Sequence, residues 1–173
     1  MDIKQLSGTY DAREDRIMFR VSTTTGEEFR LLLTRLITSK LLEIIRGVAT
    51  SSIAQKLPPQ VAQAVAEFER EKIQAQTKLD DQFAPGATLP LGAAPVLVVA
   101  LTVSRKGEEL SLDLGLANAS NLNLSLSPRL AQQFALLLED LDRRGSWGLS
   151  QPIVQEAANG TAVAAAPSPK VVH

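Results

Sequence analysis

The hydrophobic pattern of residues 16–45 recurs 93 positions later, and that recurrence constrains the fold more than any other feature of the chain. Ile17, Phe19 and Val21 alternate with polar residues, as do Leu110, Leu112 and Leu114. The same shift carries Phe29, Leu31 and Leu33 onto Leu122, Leu124 and Leu126 without a gap, then Ile37, Leu41, Ile44 and Ile45 onto Leu130, Phe134, Leu137 and Leu138. A period of two marks a half-buried strand and a period of 3.6 an amphipathic helix, so strands followed by a helix are predicted twice. Between Leu6 and Ile45 only Thr9, Leu31 and Leu33 keep their identity under the shift. The match is one of pattern, and it fits a true duplication or two segments of the same order.

Strands are predicted over Ile3–Asp11, Arg16–Thr24 and Glu28–Leu33, with Ala12–Asp15 and a tight turn at Gly26 between them. Thr34 is the expected N-cap of a helix over Arg35–Val48, which the polar run Ala49–Ser52 should end. Pro58 and Pro59 introduce a second helix, Gln60–Lys78. Leu79–Ala94, rich in Asp, Pro, Gly and Ala, reads as a linker loop. The apolar run Pro95–Val103 reads as a strand buried on both faces, with a turn at Arg105–Glu108. Glu109–Leu116 and Asn121–Leu126 follow as strands. Ser127 and Pro128 open a last helix that Gly145 should close, and Trp147 is expected to fold back onto the body.

The expected architecture is α+β: two antiparallel βββα units, residues 1–57 and 95–150, joined by a connecting helix (58–78) and a linker loop (79–94). A largely disordered tail (151–173) follows, and residues 1–150 suffice for one compact domain.

Composition excludes more chemistry than it suggests. Cysteine is absent and the only histidine is His173, so a thiolate or imidazole metal site and a cysteine nucleophile have no residues to build them. Ser39 and Lys40 are adjacent, so on a helix they diverge, and no glycine-rich phosphate loop is present. The carboxylates of Asp80–Asp81 and of Glu139, Asp140 and Asp142 read as solvated. No enzyme activity, metal or cofactor is expected. A net charge of −1 with mixed signs implies neither a polyanion nor a membrane surface as a bulk partner. The longest apolar run is about half of a membrane span, and the N-terminus has no signal-peptide pattern, so a cytoplasmic protein is the default.

Two features point to binding. Arg16 and Arg20 share the face opposite Ile17, Phe19 and Val21, and Arg30 lies opposite Phe29 and Leu31. Paired strands would gather them into a basic sheet face with Lys4, Arg13 and Arg35 at its margin, able to follow a phosphate backbone. Tyr10 falls on the other side, so the face lacks the aromatics that stack single-stranded bases. The 93-residue shift sets Glu109, Asp113 and Asn123 at the positions of Arg16, Arg20 and Arg30, which makes the faces complementary, either between the two units or between two chains. The second feature is the narrow, alanine-rich stripe Val61, Ala64, Val65 and Phe68, which suits a helix shared with a partner.

The segments Leu6–Asp11, Glu14–Ile17 and Gly26–Arg35 ("GEEFRLLLTR") resemble a family of uncharacterised bacterial proteins over about the first 40 residues. The resemblance implies a bacterial source and transfers no activity. Family members carry a second arginine where Leu36 stands here. Duplicated sheet-plus-helix units are also similar in topology to the Whirly-type single-stranded DNA-binding fold, which uses more strands per unit. The expected role is a non-catalytic protein-interaction or adaptor module, with self-association or a protein partner. The alternative is weak single-stranded nucleic-acid binding through the arginine face.

Overall fold

The computed structural model describes residues 2–54, 61, 65, 68, 71–72 and 83–149. Six strands and two long helices appear in the order β1 (Ile3–Asp11), β2 (Arg16–Thr23), β3 (Glu28–Leu33), α1 (Arg35–Ala54), β4 (Val96–Lys106), β5 (Glu109–Leu116), β6 (Asn121–Leu126) and α2 (Pro128–Gly145). The mixed α+β class is as the periodicity predicts. The strands do not form two separate antiparallel sheets, however. They make one six-stranded sheet in sequence order, in which β3 and β4 join in parallel through Leu31–Val96 and Leu32–Leu97.

Alternation decides which face is dry. Ile17, Phe19, Val21, Leu31 and Leu33 from the first three strands, and Leu112, Leu124 and Leu126 from the last three, point into one core. The helices close it from one side. They pack on each other; α1 reaches β4, and α2 reaches β1 as well as β5 and β6. Each helix therefore covers the first strand of the other half. The edge strands β1 and β6 curl toward one another until some of their Cα atoms lie within 8 Å.

The second and third strands of each half share their pairing in detail. Residues Ile17–Ser22 of β2 meet Leu33–Glu28 of β3, and the pairs Leu110–Leu126 to Gly115–Asn121 repeat that register at the 93-residue shift. The register slips between Ile3 and Gln5 in β1 and between Val98 and Ala100 in β4. A slip of this kind is a bulge, which leaves one residue unpaired and bends the strand.

The helices cover only one side of the sheet, and that corrects the reading of β4 as buried on both faces. Val98 is buried, but the bulged Val99 is 56% exposed and Ala100 is exposed as well. The strand also runs on to Lys106, so the turn is only Gly107–Glu108, with Gly107 at φ +64°. Helix α1 does not stop at Val48 but continues to Ala54. Thr and Ser cost only a few tenths of a kcal/mol each in a helix, too little to break one already packed on a sheet. On α1 the apolar residues driven fully inward are Ile37, Leu41, Leu42 and Ile45, beside the buried Thr38, so Leu42 takes the buried place expected of Ile44.

The helix starts follow the sequence rules. Thr34 Oγ1 accepts from Ile37 N at 3.3 Å, and Ser127 Oγ accepts from Leu130 N at 3.3 Å ahead of Pro128. Gly145 is a different matter. The left-handed residue that caps α2 is Ser146 (φ +53°), whereas a Cβ on Gly145 would lie 2.9 Å from the Tyr10 ring. The glycine is there for the approach of that ring.

Val61, Val65, Phe68, Glu71 and Lys72 are helical, and the rest of the predicted helix Gln60–Lys78 lies outside the described residues. Ala64, the expected break at Ser51–Ser52 as far as its side chains go, and the predicted tail from residue 151 lie outside the described residues. Among the described residues no helix is long and apolar enough to cross a membrane.

Candidate functional site

The predicted basic face exists, on the side of the sheet turned away from the helices. Arg20 and Arg30 sit directly opposite one another in the β2–β3 register. Two guanidinium groups in that relation repel, and the sequence supplies the remedy two residues earlier on β3. Glu28 is 1% exposed, and its Oε1 accepts from Arg30 Nε at 2.8 Å. Burial by itself would raise the Glu28 carboxyl; the bonds from Arg30 and from the Gly86 amide, with the charges of Arg30 and Arg20, outweigh it and hold the group below its usual range.

The linker supplies the second part of the arrangement. Instead of looping away, residues 83–95 form a strap over this face. Gly86 N donates to Glu28 Oε2 at 3.0 Å, Ala84 N to Gln5 Oε1 at 3.0 Å, and Ala87 N and Thr88 N to Gly26 O. Glu28 N donates to Thr88 O at 2.8 Å, closing a parallel bridge between Glu27 and Thr88. A Cβ on Gly86 would lie 2.6 Å from the Glu28 backbone nitrogen, so only glycine lets the strap lie this close. Phe83 supplies the aromatic contact that β1 does not, with the Arg20 guanidinium 4.2 Å from its ring centroid.

Arg16, Arg20 and Arg30 therefore each have a partner inside their own half. Arg16 reaches Glu14 at 3.4 Å, Arg20 donates to Ser7 Oγ at 3.5 Å, and Arg30 Nη1 donates to Ala93 O at 3.1 Å. This corrects the idea of charge complementarity between the two units, since these partners do not include Glu109, Asp113 or Asn123. Arg35 does not join the face. It donates from Nη2 to Trp147 O at 3.0 Å and helps hold the chain after α2.

Trp147 folds back as expected and is 7% exposed. Its ring meets Tyr10 edge-on at 5.7 Å, and its Nε1 donates to Asp15 Oδ1 at 2.5 Å, where the Tyr10 hydroxyl also donates at 2.8 Å. The indole N–H first, and then the tyrosine hydroxyl, lower the Asp15 carboxyl below its ordinary 3.8. A folded-state pKa below the unfolded value stabilises above the unfolded value, and the contribution is lost as pH falls through the folded one. Asp15→Asn is thus expected to lower Tm at neutral pH, with the gap to the parent chain narrowing steadily below pH 3.8. Thermal melts of both proteins from neutral to acid pH check it, and a gap independent of pH would show that the carboxylate charge plays no part.

Among the described residues no cluster of three or more His, Asp or Glu could hold a metal ion. The sequence pattern points to the arginines but not to the strap, because nothing local in residues 83–95 says which surface they will cover. No family model, no curated protein and no solved structure matches this chain.

Proposed function

We propose that the chain is a non-catalytic protein-interaction module and that its contact surface is centred on the helical residues Val61, Val65 and Phe68. The observation behind this reading is exposure. Val61 is 46% and Phe68 65% exposed, seven residues and thus two helical turns apart, with the half-buried Val65 between them. Large apolar groups aligned on one exposed helix face suit a groove on a protein partner. The arginine face offers less to a phosphate backbone than the bare sequence suggests, since Arg16, Arg20 and Arg30 already hold Glu14, Ser7 and Glu28.

The finer description of the fold belongs to the same proposal: the halves are copies of one βββα unit. Equal registers of β2–β3 and β5–β6 at the 93-residue shift support it, as does a bulge in each first strand, where the correspondence is at 95 residues and Leu6–Val21 is matched by Leu101–Leu114. So does the ion pair between Arg46 and Glu139, two residues that are themselves 93 apart. Equivalent residues touch each other only near an axis that relates the copies.

Capture of partners on the intact chain, with and without nuclease and at low and high salt, tests the interaction reading. A stoichiometric protein that survives nuclease and salt, and whose affinity falls about tenfold or more in a Val61→Glu, Phe68→Glu variant, is the expected result. Retention that vanishes with nuclease, or that ignores both substitutions, overturns it.

A further inference from the structure

Beside the strap, on the same outer face, lies an open groove of about 590 Å³ walled by Asp11 and Arg13 at the β1–β2 turn, Met18 and Arg20 of β2, Arg30 of β3, and Pro95. We propose that it binds a singly charged organic acid, the carboxylate against Arg13, Arg20 and Arg30 and an apolar body against Met18 and Pro95.

The volume lies within the range of small-molecule sites, roughly 300–1,000 Å³. Charge then restricts the ligand. Three guanidinium groups face Asp11 in the wall and Glu28 beside Arg30, which leaves one net positive charge. A monoanion balances that site and a dianion overcharges it.

Donors remain for the carboxylate. Arg30 commits Nε to Glu28 and Nη1 to Ala93 O, which orients the group and leaves the Nη2 protons. Arg20 commits Nη2 to Ser7 and is braced by the Phe83 ring. The Arg13 side chain makes no hydrogen bond or ion pair among the described residues. Two pre-oriented guanidinium groups and one uncommitted group reproduce the usual carboxylate clamp, in which charge-assisted bonds are the strong ones.

The other half of the sheet is an internal control. With β5 and β6 in the same register as β2 and β3, the places of Met18, Arg20 and Arg30 are taken by Ser111, Asp113 and Asn123. There Asn123 Nδ2 donates to Ser111 Oγ at 3.0 Å. The strands form equally well on that side, so the arginines are not a requirement of the sheet.

The test is an amide NMR titration of the full chain with benzoate, octanoate, benzamide as a neutral isostere, and inorganic phosphate. Saturable shifts at Arg13, Met18, Arg20 and Arg30 with at least one of the two acids are expected, and none with benzamide. Arg13→Gln and Arg20→Gln should each weaken binding about tenfold, the worth of a charge-assisted bond; Arg13 is exposed in a turn, so its replacement leaves the fold intact. Failure of both acids to saturate at millimolar concentration, equal binding by benzamide or by the variants, or equal shifts from phosphate alone would each overturn the proposal.

Discussion

Truncating Phe134 to alanine is expected to destabilise the chain by about 3–5 kcal/mol, the usual cost of removing a buried aromatic ring. Phe134 is 2% exposed and stacks on Phe19 of β2, with centroids 4.7 Å apart and planes at 24°. This contact ties α2, in the second half of the chain, to a strand of the first. Two terms add. The ring loses its transfer free energy and its partner, and a void opens between a helix and a sheet that are each held by other contacts and so collapse poorly. Against a typical total of about 5–15 kcal/mol, the loss takes a large part of the stability. Denaturant unfolding of the parent and the variant measures it. Phe68→Ala serves as the comparison, since Phe68 is 65% exposed and its truncation should stay within about 0.5 kcal/mol. A Phe134→Ala cost below about 1 kcal/mol would mean that α2 does not seat on β2.

The sequence made some parts of this fold legible and hid others, and the division follows physical range. Strands β2, β3, β5 and β6 lie where strict alternation placed them, because a half-buried strand writes its period directly into the residues. The caps Thr34 and Ser127 are equally local. The run Val96–Val103 misled because its apolar residues suggested two dry faces, whereas Val99 lies on the face that the helices leave open. Which face the helices take depends on contacts distant in sequence, which a strand's own residues do not carry. Gly145 looked like a stop signal, but its cause is Tyr10, far away in sequence. The candidate site divides in the same way. Period two placed Arg20 and Arg30 correctly on one face. The buried Glu28, the strap over it and the groove beside it depend on pairings more than fifty residues apart, such as Gly86 with Glu28 and Ala93 with Arg30.

Reversing Glu139 to arginine should cost about 2–4 kcal/mol, and adding Arg46→Glu should recover most of it. Arg46 on α1 donates to Glu139 Oε1 on α2 from both Nε (3.2 Å) and Nη2 (2.8 Å), and also from Nη1 to Leu149 O. Glu139 is 7% exposed, so a second guanidinium in its place would be buried beside the first. The partial hydration of Arg46 moderates that penalty below the figure for a fully buried pair. Rescue by the double reversal is the more informative half. If the two helices are related by an axis through this pair, each position offers its side chain nearly the same surroundings, and the exchanged charges can meet as the originals do. The double reversal also gives up the bond to Leu149 O, so recovery should stop short of the parent by about 1 kcal/mol, the worth of one hydrogen bond. Stabilities of the parent, the two single reversals and the double close the cycle. If the double is no more stable than the worse single, the two environments are unlike, and the reading of the halves as copies about an axis fails at its closest point.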